Sequence, residues 1–273
     1  MAESRIIDVK ALSRVEGEGR LLIRLNGSDI EHVELNIYEP PRFFEALLRG
    51  REVREVPDIT ARICGICPVA YQMSSCHALE KALGMTIPPA IRTLRRLLYC
   101  GEWIESHVLH IHLLHAPDFL GFESGISMAA VHRGAVERGL KLKRIGNRIV
   151  EIVGGRAVHP INVTVGGFYR APRLSEIKEL QTELEWGLGA AVEALHWLAT
   201  LDFPELRIDY EMVSLRHTDE YPMNEGRIVS SGGLDLAHED YEAHFEERHV
   251  PQSTALHSVM IPEGKSYLVG PLA

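Results

Sequence analysis

Arg62-Ile63-Cys64-Gly65-Ile66-Cys67-Pro68 is the sharpest chemical signal in the sequence. Two thiols separated by two residues can share one soft metal ion, and Gly65 is expected to let the backbone turn tightly between them. A structural zinc site needs a second pair, whereas Cys76 and Cys100 stand alone, where core thiols commonly sit. A thioredoxin-type redox pair wants a preceding strand within a βαβ unit, which this neighbourhood lacks. On local grounds metal binding comes first, with redox exchange and a purely structural turn level behind it.

His107, His110, His112 and His115 form a second cluster. On a helix His107 and His110 share a face, His115 lies one to two turns further along it, and His112 points elsewhere. Such a comb could ligate metal or relay protons. No paired carboxylate motif accompanies it, so the favoured reading is buried histidines hydrogen-bonded to neighbouring helices. His159-Pro160, after Gly154-Gly155-Arg156, marks a helix end and a turn. In Ser13-Arg14-Val15-Glu16-Gly17-Glu18-Gly19 two carboxylates stand between glycines. They are either a solvated hairpin entry with bulges or a carboxylate held against a buried site to move protons. Glu45 reads as a surface helix residue unless a hard metal lies beside it.

The elements that must position these groups follow from periodicity. Arg20–Leu25 and His32–Tyr38 alternate like strands around Asn26-Gly27-Ser28-Asp29, which predicts a β-hairpin. Pro40-Pro41 ends the sheet, and Phe43–Leu48 begins a short helix closed by Gly50. Long helices are predicted over Ile91–His115, Ser124–Val153 and Glu176–Leu201, the last ended by Asp202-Phe203-Pro204. Beyond Pro204 the pattern turns strand-like over Tyr210–Leu215 and Arg227–Leu236. The expected class is α+β, mainly α: a long-helix bundle core with a small N-terminal antiparallel sheet. Residues 1–273 are expected to form a single domain with a hairpin region (1–40), a helical core (41–203) and an irregular or β region (204–273). The closing run Ser266–Ala273 is apolar and uncapped, so a C-terminally truncated fragment is expected.

Composition narrows the function. The 273 residues carry 29 basic against 38 acidic side chains, a net charge of −9, which disfavours nucleic acid as a partner. With 45% hydrophobic and 25% charged residues the chain is globular rather than disordered. The greasy stretch Val108–Phe122 is interrupted by His110, His112, His115 and Asp118, so no membrane span is expected. MAESRIIDVK has neither a basic nor an apolar leader region, so a cytoplasmic location is expected.

Taken in order, Arg14-Val15-Glu16-Gly17, Arg42-Phe43-Phe44-Glu45 and Arg62–Cys67 resemble the N-terminal half of nickel-iron hydrogenase large subunits. His107–Asp118, Gly155–Pro160 with Gly166-Gly167, Glu247–Ser258 and Val269–Ala273 continue the resemblance over essentially the whole chain. It implies a mostly helical large subunit, with Cys64 as a terminal nickel thiolate and Cys67 bridging nickel and iron. The implied iron carries carbon monoxide and cyanide ligands. Glu16 matches the family's proton-transfer glutamate, and Glu45 a carboxylate ligand of a structural magnesium. Thiolates suit nickel and low-spin iron and a carboxylate suits magnesium, so the ligand chemistry agrees. The implied reaction is reversible heterolytic cleavage of H2.

The implied partner is an iron-sulfur small subunit, because four cysteines cannot hold both the site and a wire of clusters. Tyr71 stands where the family commonly has a histidine, which favours the soluble, cytosolic, NAD(P)-linked branch and hence further NAD(P)-reductase subunits. The family's second CxxC pair and closing histidine lie beyond Ala273, so the chain is expected to hold two of four thiolates and to be inactive alone. A non-catalytic relative in the quinone module of respiratory complex I shares the fold but has lost the nickel cysteines, and Cys64 and Cys67 argue against it. A small redox or scaffold protein exchanging disulfides through CxxC is the third reading.

Overall fold

Strands β1 (Ser4–Val9), β2 (Gly19–Asn26) and β3 (Asp29–Ile37) form an antiparallel ladder, with Ile23 between Ile7 and Val33. Gly27, at φ +63, supplies the left-handed residue that the tight β2–β3 turn requires. The computed structural model describes residues 4–15 and 17–273. They divide into two compact units: Phe43–Glu205, and Met1–Arg42 together with Leu206–Ala273.

The first unit is helical. Short helices α1 (Phe44–Leu48) and α2 (Val56–Thr60) lead into α3 (Pro68–Ala82), which periodicity did not reveal although Pro68 at its first position is a start signal. Helix α4 (Pro89–Leu109) continues into a π-helical stretch, His110–His115, and then α5 (Ala116–Phe119). The expected continuous helix over Ile91–His115 therefore changes its winding at His110. The expected helix over Ser124–Val153 is two: α6 (Gly125–Ala129), capped by Ser124, and α7 (Arg133–Gly154). His132, at φ −110 and ψ 43, leaves the helical region between them, a break that Ala-Ala-Val does not announce. The strand pair β4 (Val163–Thr164) and β5 (Gly167–Phe168) precedes α8 (Leu174–Leu198).

Helices α4 and α7 meet backbone to backbone through glycines. A Cβ on Gly101 would lie 2.9 Å from the Ile149 side chain, and one on Gly146 would lie 2.5 Å from the Glu105 amide nitrogen. Leu98, Leu142, Ile145, Ile149, Val150 and Val153 form the buried core there. A buried ion pair joins α3 to α4: Arg95 Nη2 and Nη1 donate to Glu80 Oε1 and Oε2 at 2.5 and 2.9 Å. Glu80 also accepts the Gly166 N–H at 2.7 Å.

In the second unit, β6 (Glu211–Arg216), β7 (Arg227–Ser230), β8 (Asp235–Leu236), α9 (Tyr241–His244), β9 (Phe245–Val250), β10 (Ser253–Met260) and β11 (Tyr267–Leu268) follow. The early strands share a sheet with late ones, in the order β1-β2-β3-β10-β9, and β11-β6-β7-β8 form a second sheet. Thr254 Oγ1 donates to Glu39 O at 2.7 Å, closing the β3–β10 seam. Val213, Leu236 and Phe245 make this unit's small core. No helix among the described residues is long and apolar enough to cross a membrane.

Candidate metal centre

The cysteine turn lies between a 3-10 turn, Ala61–Ile63, and helix α3. Cys64 is extended (φ −141, ψ 137), and Cys67 (φ −119, ψ 40) is the residue that caps α3. The chain thereby folds over the first sulfur: Ile66 N and Cys67 N donate to Cys64 Sγ at 3.4 and 3.1 Å. Two amide dipoles converging on one sulfur complement negative charge there, as a metal-bound thiolate needs. Cys64 is buried, Cys67 is half-buried, and neither is in a disulfide. Gly65 makes no use of its expected freedom. It is not among the glycines with positive φ, and a Cβ on it would meet nothing within 4 Å.

Distant elements grip the turn from both sides. Upstream, His159 Nδ1 donates to Ala61 O at 2.8 Å. Downstream, Glu102 Oε2 accepts the Val69 N–H at 2.6 Å, and Gln72 Nε2 donates to Pro160 O at 2.6 Å. The loop bearing His159 is itself fixed, because Ile161 N and Asn162 N both donate to Gly154 O at 2.9 Å. Asn162 Nδ2 adds a bond to Val153 O at 2.8 Å.

Two carboxylates lie buried on α4 behind the turn, and sequence reasoning missed both. Burial pushes Glu102 up to about 7, against the Val69 and Ala70 amides that favour its charge, with Glu105 adding to the rise. Burial likewise pushes Glu105 up to about 7, partly offset by Lys143. A carboxyl raised in the folded state binds more protons there than in the unfolded chain, so its contribution is full below the ordinary carboxylate range and lost as pH rises through about 7. Stability of the helical unit should therefore fall between pH 5 and pH 8, and Glu105→Gln should flatten that fall. Denaturant unfolding of both chains at the two pH values is the check, and identical slopes would refute the assignment.

The other residues singled out in the sequence are dispersed. Glu45 is exposed on α1, and Glu16 lies outside the described residues. Of the histidines only His112 is buried; it stacks on Trp197 and faces an apolar groove of about 620 Å³ between α4, α7 and α8. His107 Nδ1 bonds to Trp103 O at 2.7 Å, and His110 Nε2 meets His115 Nε2 at 2.8 Å. His107, His110 and His115 are thus bonded within their own segment rather than to neighbouring helices, and the π-helical winding brings His115 back beside His110. Cys76 is a core thiol that burial pushes up to about 12, and burial raises Cys100 as well. Among the described residues no group of three or more His, Cys, Asp and Glu gathers to hold a metal. The donor chemistry of the turn still fits one: two thiols separated by two residues, one with its amide cradle already formed, are soft ligands of the kind nickel and iron prefer.

A family model described as nickel-dependent hydrogenase matches residues 42–135, a segment that contains the cysteine turn. One component of the F420-non-reducing hydrogenase vhu of Methanocaldococcus jannaschii is 32% identical over 295 residues, covering 98% of this chain and 69% of that protein. The chain belongs to the nickel-dependent hydrogenase family. The alpha chain of Pyrococcus furiosus sulfhydrogenase 2 is 39% identical over 238 residues, covering 80% of this chain and 57% of its own length. Among solved structures, an NAD+-reducing NiFe-hydrogenase in the H2-reduced state superposes with a TM-score of 0.85 at 26% identity, covering 99% of this chain and 65% of that one. This member of the nickel-dependent hydrogenase family therefore spans only 57–69% of the length of the three proteins it is compared with.

Proposed function

We propose that this chain furnishes two of the thiolate ligands of a nickel-iron site, as part of a hydrogenase large subunit that oxidises H2 reversibly. The observation that carries the reading is the Cys64 sulfur, buried and facing two amide donors inside a CxxC turn. In this reading Cys64 and Cys67 would hold nickel, and Cys67 would hold iron as well. Nickel and an iron with carbon monoxide and cyanide ligands would supply, when bound, the soft redox centre at which H2 is split.

What the chain's own residues do is narrower. Cys64 and Cys67 bind and orient, and the half-buried turn limits access of water to their sulfurs. Glu16 would move protons, a role that rests on its place in Arg14-Val15-Glu16-Gly17. Glu45, exposed on α1, would give one oxygen to magnesium, which wants near-octahedral oxygen coordination and so needs other donors as well. NAD(P)-reductase subunits and an iron-sulfur small subunit complete the proposal. The names of the sulfhydrogenase relative, an alpha chain, and of the NAD+-reducing structure support it. A cytoplasmic location belongs to the same reading.

Nickel(II) titration of the reduced 273-residue chain tests the ligand assignment. A sulfur-to-nickel charge-transfer absorption should grow to one equivalent and vanish in Cys64→Ser and in Cys67→Ser, while Cys76→Ser and Cys100→Ser keep it. Undiminished absorption in the Cys64→Ser/Cys67→Ser double variant would sink the assignment. Reversible cycling of the two thiols as a disulfide, without nickel uptake, would favour redox exchange instead.

A further inference from the structure

Both contacts that bracket the cysteine turn carry a cost that an ordinary packing contact does not. His159 has φ +48, one of two left-handed non-glycine residues among the described residues. Holding a non-glycine residue there is strained, so the surroundings must impose it. They do: Arg156 Nε donates to Val158 O at 2.7 Å and to His159 O at 2.9 Å, and Gly155 turns the chain at φ +85. The strained residue points its ring at the Ala61 carbonyl, which only accepts, so Nδ1 carries a proton and donates it to that oxygen. Ala61 opens the 3-10 turn that delivers Cys64.

Glu102 is the matching device on the other side. It is 3% exposed, on α4, with a second buried carboxyl, Glu105, one turn away. Its bonds go to the Val69 and Ala70 amides, the second and third residues of α3. Those amides are normally satisfied by the side chain of the helix-capping residue, which here is Cys67 and makes no capping bond. A carboxylate from another helix does the capping, so the Cys67 sulfur is not needed for it.

We infer that Glu102 and His159 are positioning residues that hold Cys64 and Cys67 in their chelating turn before any metal arrives. The inference rests on reading the two cysteines as metal ligands, and it adds that the chelate is preformed by a brace from α4 on one side and the 155–162 loop on the other. Neither residue need touch the metal. Each sets where a sulfur stands by fixing backbone two or three residues away.

The test uses the full 273-residue chain, reduced and metal-free, with substitutions that separate donor, backbone and bulk. His159→Gly keeps the left-handed backbone and deletes the donor. His159→Asn keeps both, since asparagine tolerates that conformation and places an amide N–H near the position of Nδ1. Glu102→Leu deletes the cap and Glu102→Gln retains one acceptor. Ile149→Val, in the α4–α7 core, lowers the stability of the same unit without touching the turn.

Three quantities are read: hydrogen exchange of the Ile66 and Cys67 amides, alkylation rates of Cys64 and Cys67 by mass spectrometry, and nickel(II) affinity from charge-transfer absorption. His159→Gly and Glu102→Leu should speed exchange and alkylation and weaken nickel binding by about 10–100-fold, the usual effect of losing a residue that orients a ligand. His159→Asn, Glu102→Gln and Ile149→Val should stay near the wild type. Equal protection in His159→Gly and the wild type overturns the inference, as does loosening of the turn in Ile149→Val to the same degree. If Glu102→Leu does not fold, His159→Gly decides alone. A wild-type turn that is well protected but takes up no nickel would sink the ligand assignment and leave the brace standing. Nickel uptake that ignores every brace variant would do the reverse.

Discussion

Arg95→Met should destabilise the helical unit by about 3–5 kcal/mol, because it strands a carboxylate in the core. The Glu80 and Arg95 side chains are 4% and 2% exposed, and their paired bonds tie α3 to α4. Burial alone would raise Glu80, yet the Arg95 guanidinium and the Gly166 amide outweigh it and hold the carboxyl below its usual range. A depressed carboxyl contributes stability that is present above the ordinary carboxylate range and lost as pH falls through the folded-state value. In Arg95→Met that contribution is gone and Glu80 can avoid a lone buried charge by protonation. The gap between variant and wild type should therefore narrow in acid. The Glu80→Leu/Arg95→Met double variant should recover most of the loss, since two apolar side chains leave no uncompensated charge. Denaturant midpoints at pH 7 and pH 4 give both comparisons, and a single-variant loss below about 1 kcal/mol would mean water reaches the pair.

Gly146→Ala should cost about 3 kcal/mol, near the upper end of overpacking effects, although alanine is the better helix former. The added carbon would sit 2.5 Å from the Glu105 nitrogen and 2.7 Å from the Gly101 oxygen. Both are backbone atoms that no rotamer change can move aside, so α4 and α7 must separate. Gly134, at the exposed start of the same helix, is the internal control, since a Cβ there meets nothing within 4 Å. Gly134→Ala should be neutral or stabilising by up to about 1 kcal/mol. Thermal unfolding of the pair measures the contrast, and equal effects at the two positions would show that propensity rather than contact decides.

Local patterns that answer to local physics were legible in the sequence. The β2–β3 hairpin announced itself by alternation around Asn26-Gly27, and α4, α7 and α8 by apolar spacing, since each must bury one stripe. The change of winding at His110 was not, because the apolar spacing continues across it. At the site, the spacing of Cys64 and Cys67 named the pair, but the agents that fix it were hidden. Glu102 reads as one more acid on a helix until α3, 33 positions earlier, is placed against it. His159 reads as a turn residue until its ring is seen to reach Ala61, 98 positions away. Contacts of that range depend on the tertiary arrangement, and no window of sequence contains both partners.

The sheet unit is interrupted by the entire helical unit, and this imposes a schedule on synthesis. Strand β3 leaves the ribosome long before its neighbour β10, with Ile37 and Thr254 separated by 217 positions. At about 5–20 residues per second, translation leaves that edge open for about 10–40 s, most of which is spent making the helical unit, residues 43–205. During the interval the hairpin presents unpaired amides and carbonyls beside exposed Ile30, Val33 and Leu35, the kind of edge on which nascent chains mispair. The vulnerable moment in making this protein therefore belongs to strand β3, and its length is set by the insertion rather than by the hairpin.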